Sequence, residues 1–252
     1  MLFIKAIFIG CATGFVSAFF GIGGSSIDTP LLRTILHLPP YLALGTPLPT
    51  AFATVAIALL VYRREHLINY RVFGWSVLGG VPAIIFGSYV SQFFGGRFLM
   101  LLTAIVLFFV GIDFIFRIFW KKKKNGSEKK RENSSAGKIL LVSFFTGIIS
   151  GILAIGGGLF LIPGYNLILK MKIKEAIATS LLVVGTLIIP ATLVHFELGH
   201  IDFRVSAALV CGVIPLAYVG AKADLRAKSS TIKFLFGALL IIFSIIFFFS
   251  QV

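Results

Sequence analysis

Hydrophobic residues occur in long stretches along this chain, separated by short polar or glycine-rich positions. The stretches cover residues 2–20, 24–37, 43–62, 72–94 and 98–119, and then 138–153, 158–169, 176–196, 205–221 and 232–250. A membrane-spanning helix needs about 20 apolar residues, and the last three stretches of each half approach that length. The pattern predicts an all-α integral membrane protein in which the lipid bilayer is the main surrounding partner.

The composition supports this prediction. Of the 252 residues, 58% are hydrophobic and 13% are charged, whereas an average soluble domain has about 45–50% and 25%. A soluble chain of this length cannot bury so much apolar surface in one core. The formal net charge of +14 arises from basic residues clustered between apolar stretches, which is typical of cytoplasmic loops rather than of a nucleic-acid-binding surface.

The two halves of the chain are copies of one unit. A shift of 133 residues aligns them without a gap, and glycine, proline, threonine and arginine recur at matching positions, as expected of an internal repeat. Gly14-Phe-Val-Ser17 matches Gly147-Ile-Ile-Ser150, Ile22-Gly-Gly24 matches Ile155-Gly-Gly157, and Pro30, Thr46, Arg71, Gly79 and Gly87 match Pro163, Thr179, Arg204, Gly212 and Gly220. We predict repeat unit 1 over residues 1–120 and repeat unit 2 over residues 138–252.

Each unit is predicted to contain one glycine-broken, re-entrant element and three transmembrane helices. The broken elements cover residues 2–37 and 138–169. The helices cover 43–62, 72–94 and 98–119 in unit 1, and 176–196, 205–221 and 232–250 in unit 2. Residues 121–137 form a basic linker between the units, because most of them are charged or polar.

The distribution of lysine and arginine tests this topology. If each broken element returns to the side from which it came, one side carries only Lys5, Arg33, Arg97 and Arg204, and the other carries the remaining 19 basic residues. The positive-inside rule then favours inverted units, with both termini outside and the linker in the cytoplasm. The count leaves open whether the short segments are re-entrant or cross the bilayer completely.

The glycine clusters are the candidate functional positions. Irregular backbone survives at membrane depth only where protein or a cavity shields it. A break there starts a new helix at about Gly24 and Gly157, with free N–H groups and a positive dipole end that attract an anion. For the flanking Gly10, Gly14, Gly147 and Gly151, close packing of helices is an alternative explanation.

Asp28 lies in the short segment after the first break, and its repeat partner is Leu161. An acid inside a membrane segment is costly and indicates a function. We predict that Asp28 couples transport to a proton or a cation; pairing with a nearby arginine is the structural alternative.

Several hydroxyl and basic side chains are further candidates. Thr46 and the Thr179-Ser180 pair are predicted to open the next helices, either as caps or as donors to the anion. Arg71 and Arg204 suit an oxyanion or a lipid headgroup equally. For Ser17 and Ser150 we favour a hydroxyl bonded to its own helix, and for His66, His195 and His200 we favour interfacial solvation. No metal-ligand spacing is present, and no cofactor is predicted.

The doubled G-x2-S-x5-GG-x5-P and A-x2-T-x-L patterns resemble those of the TauE/SafE sulfite exporter family, over essentially the whole chain except the linker. The resemblance implies a transporter of sulfite, thiosulfate or an organosulfonate, with the substrate near the glycine breaks. Carried onto this chain, the substrate-binding residues are Gly23, Gly24, Ser25, Thr46, Gly156, Gly157, Gly158, Thr179 and Ser180, and we add Ser26, which follows Ser25, as a further candidate. The resemblance also implies a prokaryotic cell (inner) membrane. The chain departs from the pattern at Ser25-Ser26, where a third glycine is usual, and at Pro47, where serine is usual.

We therefore expect a secondary transporter, most simply an exporter, of a small sulfur-containing oxyanion. An anion channel is the main alternative, because sequence does not distinguish a pore from a carrier. An intramembrane enzyme is less favoured, because the chain shows no nucleophile with a base in reach and no metal-ligand set. The sequence leaves open whether the chain forms a homodimer.

Overall fold

A computed structural model describes residues 2–121, 135–227 and 229–251 of the chain. These residues form eleven α-helices and two short 3-10 helices, Arg63–Glu65 and Ser91–Phe93. The α-helices are α1 (Leu2–Phe20), α2 (Ser25–Ile35), α3 (Pro40–Gly45), α4 (Pro47–Tyr62), α5 (Tyr70–Val90), α6 (Gly96–Lys121), α7 (Ala136–Leu153), α8 (Gly158–Leu167), α9 (Ile173–Glu197), α10 (Phe203–Arg226) and α11 (Ser229–Gln251). The predicted linker, residues 121–137, lies largely outside the described residues.

The all-helical, multi-pass membrane fold predicted from the sequence is confirmed. Among the described residues, seven segments are long and apolar enough to cross a bilayer: Leu2–Phe20, Pro40–Glu65, Tyr70–Phe93, Gly96–Phe116, Ala136–Leu153, Ile173–Glu197 and Phe203–Arg226. Large aromatic side chains such as Phe8, Phe93 and Phe249 point outward, whereas many serine and threonine side chains are buried. Lipid solvates the outer surface, so the polar residues face inward.

Glycine allows helices of opposite units to pack closely. A Cβ atom on Gly212 of α10 would collide with the Ile7 carbonyl oxygen of α1, and one on Gly79 of α5 would make a tight contact of 3.0 Å with the Leu140 carbonyl oxygen of α7. Gly212 is the repeat partner of Gly79, and Ile7 is the repeat partner of Leu140. The two contacts are therefore equivalent, with the units exchanged. Gly220 against Phe15 and Gly87 against Ile148 repeat the same relationship. Small residues at such interfaces let helix backbones touch and pack without a polar partner.

The flanking glycines also serve helix packing. Gly10 and Gly14 of α1 lie against the backbone of Leu209 and Val213 in α10, and Gly147 and Gly151 of α7 lie against the backbone of α5. A side chain larger than hydrogen would separate these helices. The structure thus supports the packing explanation for these four positions.

Each broken element folds back along itself. In unit 1, Ala6 and Ile9 near the start of α1 share a buried apolar cluster with Leu32 of α2 and Leu36, the residue that ends α2. In unit 2, a Cβ atom on Gly164 of α8 would contact Val142 near the start of α7. The chain after each break therefore runs back toward the end of the bundle where the preceding helix began.

Candidate functional site

Both glycine clusters interrupt their helices. We call residues 21–24 the first break and residues 154–157 the second break. The φ angles are +72°, +87° and +102° at Gly21, Gly23 and Gly24, and +51°, +70° and +92° at Ala154, Gly156 and Gly157. Positive φ is rare for residues with a Cβ atom, which explains the glycines. At these three equivalent positions φ is positive in both breaks.

The two breaks contact each other in the interior of the bundle. The Ser26 hydroxyl donates to the Ile155 carbonyl oxygen at 3.3 Å. A Cβ atom on Gly158 would lie 2.6 Å from the Ile22 carbonyl oxygen, and one on Gly156 would lie 3.2 Å from the Ser25 Oγ. The starts of α2 and α8 therefore meet, and residues from both units surround the same small region.

Backbone N–H groups at both breaks lack an acceptor. After the first break, the first recorded backbone donors are Ile27 and Asp28, which both bond to the Gly24 carbonyl. After the second break they are Phe160 and Leu161, which both bond to the Gly157 carbonyl. Among the described residues, no acceptor is recorded for the N–H groups of Gly23, Gly24, Ser25, Ser26, Gly156, Gly157, Gly158 and Leu159. These are the orphan donors that every helix start leaves unsatisfied.

Side-chain oxygens around the breaks are also unpartnered. Among the described residues, no hydrogen-bond partner is found for the hydroxyls of Ser17, Ser25, Thr50 and Ser150, although all four residues are fully buried. The prediction that Ser17 and Ser150 bond to their own helices is therefore wrong. Their carbonyl oxygens instead accept the N–H groups of Ile22 and Ile155, which closes the end of each helix. A buried polar group without a partner is expensive and calls for a ligand or water.

Asp28 is fully buried in the first turn of α2. Neither of its carboxyl oxygens has a hydrogen-bond partner within the described part of the chain. The Thr13 hydroxyl of α1 lies beside it, but no arginine bonds to it. The alternative in which Asp28 is a structural partner of an arginine is therefore not supported.

Thr46 and Thr179 link the two units. The Thr46 Oγ1 accepts from the Asp202 N–H, and the Thr179 Oγ1 accepts from the Asn69 N–H, both at 3.0 Å. Thr46 is the repeat partner of Thr179, and Asn69 is the repeat partner of Asp202. The two bonds are therefore equivalent, with the units exchanged. Asn69 and Asp202 in turn cap α5 and α10 with their side chains. The two threonines thus anchor the starts of α5 and α10 to the opposite unit.

The prediction that Thr179 and Ser180 open a helix is wrong. They lie inside α9, which begins at Ile173, and the Ser180 hydroxyl donates to the Ile177 carbonyl. Thr46 does precede the start of α4, with Pro47 in the first turn, but its side chain makes no capping bond. Pro47 lacks an N–H and separates α3 from α4, whereas Ser180 lets α9 continue.

Arg71 and Arg204 are exposed, in the first turns of α5 and α10. The structure does not bury them beside the glycines. Their role as anion ligands stays a prediction, because this conformation does not place them in the buried region between the breaks.

Two buried polar contacts at the ends of α4 and α9 could not be predicted from the sequence. Tyr62 of α4 donates a short hydrogen bond to Asp224 of α10. At the repeat-related position, the Nδ1 atoms of His195 and His200 lie 3.1 Å apart, and the Tyr41 ring stacks on His200. Both histidines are buried, so the prediction of interfacial solvation is wrong for them. The equivalent positions 62 and 195 carry a tyrosine and a histidine, so a comparison of the two units could not reveal either contact.

The fold and these interactions define a multi-pass helical membrane protein with paired helix starts in its interior. The family model described as "Sulfite exporter TauE/SafE" matches residues 6–247. The chain is 29% identical over 225 residues to "Probable membrane transporter protein YdhB" of Bacillus subtilis, an alignment that covers 88% of this chain and 89% of the relative. It is 23% identical over 261 residues to "Probable membrane transporter protein YunE" of the same organism, over 96% of both chains.

A relative from the archaeon Methanocaldococcus jannaschii, also named as a probable membrane transporter protein, is 23% identical over 93% of this chain and 91% of its own. No solved structure matches the chain. The chain belongs to the sulfite exporter TauE/SafE family, and it is a membrane transporter rather than an enzyme.

Proposed function

We propose that the protein is a secondary transporter that holds a small sulfur-containing oxyanion between the two breaks. The observation that carries this proposal is the set of free backbone N–H groups where α2 and α8 begin. Two helix starts that face a common region combine orphan donors with the positive ends of two dipoles. An anion in that position satisfies donors that the described residues leave unpaired.

The chemistry of the donors suits sulfite, thiosulfate or an organosulfonate. Each of these anions presents several oxygens on one sulfur, and each oxygen accepts more than one hydrogen bond. The proposed ligands are the N–H groups of Gly23, Gly24, Ser25, Ser26, Gly156, Gly157 and Gly158, together with the Ser25 hydroxyl. None of them carries a full charge, so the anion is held without an ion pair and is released more readily than from a buried arginine.

The two units are proposed to be inverted relative to each other. The crosswise glycine contacts and the exchanged threonine bonds are what an approximate two-fold relation between the units produces. The folding back of each broken element matches the topology with 4 basic residues on one side and 19 on the other. That topology places the linker in the cytoplasm and both termini outside.

We propose a carrier mechanism rather than a channel. The residues of both breaks are fully or almost fully buried, so the proposed site is closed to both ends of the bundle. A carrier with alternating access passes through such a closed state as one unit moves against the other around a fixed site. Export is the proposed direction, and Asp28 is the proposed coupling residue.

Uptake and efflux by reconstituted proteoliposomes test the proposal. The panel is sulfite, thiosulfate, sulfoacetate and sulfate, each with and without a pH gradient. We expect saturable flux of at least one anion and exchange of labelled against unlabelled anion. If none of these anions moves or raises the unfolding temperature of the protein, the substrate class is wrong. Unitary currents in planar bilayers would instead favour the channel.

A further inference from the structure

We infer that a proton and the anion travel together, in the same direction, because Asp28 has to be neutral while the anion occupies the breaks. This inference rests on the proposed function of the same site. To the proposed function it adds that the coupling ion is a proton, that proton and anion move in the same direction, and that one proton moves with each anion.

The first step concerns the position of Asp28 on its helix. Its N–H bonds to the Gly24 carbonyl at 3.3 Å, so Asp28 belongs to the same first turn as the free donors of Ser25 and Ser26. The positive end of one helix dipole acts within that turn, on any negative charge placed there. An ionised Asp28 and a bound anion therefore compete for one source of stabilisation and repel each other.

The second step concerns what else could neutralise Asp28. The helices packed along α2 are α1, α3, α4 and α11, and the second break and the start of α8 meet its first turn. The titratable and charged residues on α2 and on the described side chains of these helices are Arg33, Lys5, Cys11, Tyr41, Tyr62 and Tyr165, and residues 234–250 of α11 carry none. Tyr165 of α8 donates to the Ser76 hydroxyl. Tyr62 donates to Asp224, Tyr41 to the Phe94 carbonyl, and Arg33 to the Leu38 carbonyl. None of these groups hydrogen-bonds to the Asp28 carboxyl, so neutralisation has to come from the bulk solution.

The third step distinguishes a proton from a metal cation. A cation at Asp28 would lie at the positive end of α2, where the dipole disfavours it. Hard cations also require several oxygen ligands, whereas within the described ranges the Thr13 hydroxyl is the one side-chain group found to interact with the Asp28 carboxyl. A proton needs neither a coordination shell nor a negative field. Protonation removes the charge of Asp28 and leaves the α2 dipole to the anion.

These steps define two favourable states of the site. In one, the breaks are empty and Asp28 is ionised, stabilised by the start of α2. In the other, the anion is bound and Asp28 is protonated. Binding of the anion raises the affinity for the proton, and binding of the proton raises the affinity for the anion by the same factor. A carrier that moves the filled site across the membrane therefore moves both. The second break carries Leu161 at the equivalent position, so one site takes up one proton.

The coupling has a consequence for direction. With a proton gradient directed into the cell, co-transport drives the anion inward, and efflux of the anion is driven by its own gradient and carries a proton out. The family description as an exporter therefore corresponds, in this chain, to efflux down an anion gradient.

The test measures both fluxes in the same proteoliposomes. A pH-sensitive dye trapped inside reports protons while labelled anion is counted, for each anion of the panel that moves. We compare the native chain with Asp28→Asn and with Asp113→Asn, which removes a half-buried acid of α6. Protein-free vesicles correct for undissociated acid that crosses the lipid.

We expect the native chain and Asp113→Asn to alkalinise the side from which the anion leaves. Asp28→Asn should retain anion exchange, with proton movement per anion reduced on the order of tenfold or more, because the amide is neutral at every pH. Anion flux in the native chain without proton movement, or with protons moving in the opposite direction, would overturn the inference while leaving the proposed function intact. Absence of any anion flux would overturn both.

Discussion

The two breaks have similar φ angles and different side chains. The φ angles agree to within about 20° at the three equivalent positions with positive φ, yet several residues of α2 and α4 in unit 1 are polar where their counterparts in α8 and α9 are apolar. Ser25, Ser26, Asp28, Thr29, Thr50 and Thr54 correspond to Gly158, Leu159, Leu161, Ile162, Val183 and Leu187, and all twelve are buried. The comparison teaches that both units present N–H groups at a break, whereas Asp28 of unit 1 is the one titratable residue among these twelve.

The largest expected effect comes from separating the two breaks. In Gly158→Ala the new Cβ atom would lie 2.6 Å from the Ile22 carbonyl oxygen, and backbone atoms cannot move aside as a flexible side chain can. We expect a loss of about 3 kcal/mol of stability, the upper part of the range for overpacking, and abolished transport. Thermal unfolding in detergent and flux in proteoliposomes measure both quantities.

Gly74→Ala is the matched control. This glycine lies in α5 with nothing within 4 Å of a new Cβ atom. Alanine there should leave transport unchanged and stabilise the helix slightly. Equal losses in the two variants would mean that the contact between the breaks is unimportant.

The next effect tests whether the two backbones are equivalent. Gly24→Ala forces φ +102°, ψ −57° on an L-residue, and Gly157→Ala forces φ +92°, ψ −24°. Such strain costs on the order of 1–3 kcal/mol, and the cost should be larger at Gly24, whose conformation lies further from the left-handed helical region. Both variants should weaken anion binding, as measured by the shift in unfolding temperature on adding the anion. Weakened binding in one variant alone would show that the anion is held by a single helix start.

A smaller effect distinguishes the two serines of the first break. Ser26→Ala removes the hydrogen bond to the Ile155 carbonyl and should cost about 1 kcal/mol of stability. Ser25→Ala removes a hydroxyl without a partner, so stability should not fall, but anion affinity should drop by about 2- to 10-fold, roughly the contribution of one hydrogen bond. Equilibrium binding of labelled anion to the detergent-solubilised protein measures the second quantity. Unchanged affinity in Ser25→Ala would remove this hydroxyl from the site.

The smallest effect exchanges side chains between equivalent positions. Thr50→Val places the residue of unit 2 at a fully buried hydroxyl that has no partner, and stability should change by less than about 1 kcal/mol. Val183→Thr introduces a hydroxyl into apolar surroundings and should cost about 1–3 kcal/mol. If Thr50→Val proved the more destabilising of the two, the Thr50 hydroxyl would have to be bonded through an ordered water.

Much of the fold was predictable because it depends on local sequence. Long apolar stretches predict the helices, and consecutive glycines predict where α1 and α7 end, since few other residues adopt positive φ. The 133-residue repeat also identified Asp28 as an exception, because its partner is Leu161.

The contacts between the units were not predictable from local sequence. Thr46 and Thr179 bond to N–H groups that lie 156 and 110 residues away, and no local pattern reveals which backbone group a threonine will meet. The pairing of His195 with His200 likewise depends on a turn and on Tyr41 of the other unit. The hydroxyls of Ser17 and Ser150 were assigned to their own helices because that is the common outcome, and nothing in the local sequence shows that neither hydroxyl bonds to the preceding turn.

The most direct test of the account is to locate a bound anion. Selenite, or whichever transported oxyanion contains or accepts a heavy atom, gives an anomalous signal in a crystal of the protein. The account predicts one peak between the two breaks, with the oxygens bonded to that heavy atom within hydrogen-bond distance of the N–H groups of Gly24 and Gly157. A peak beside Arg71 or Arg204, with the breaks empty at saturating anion, would contradict it.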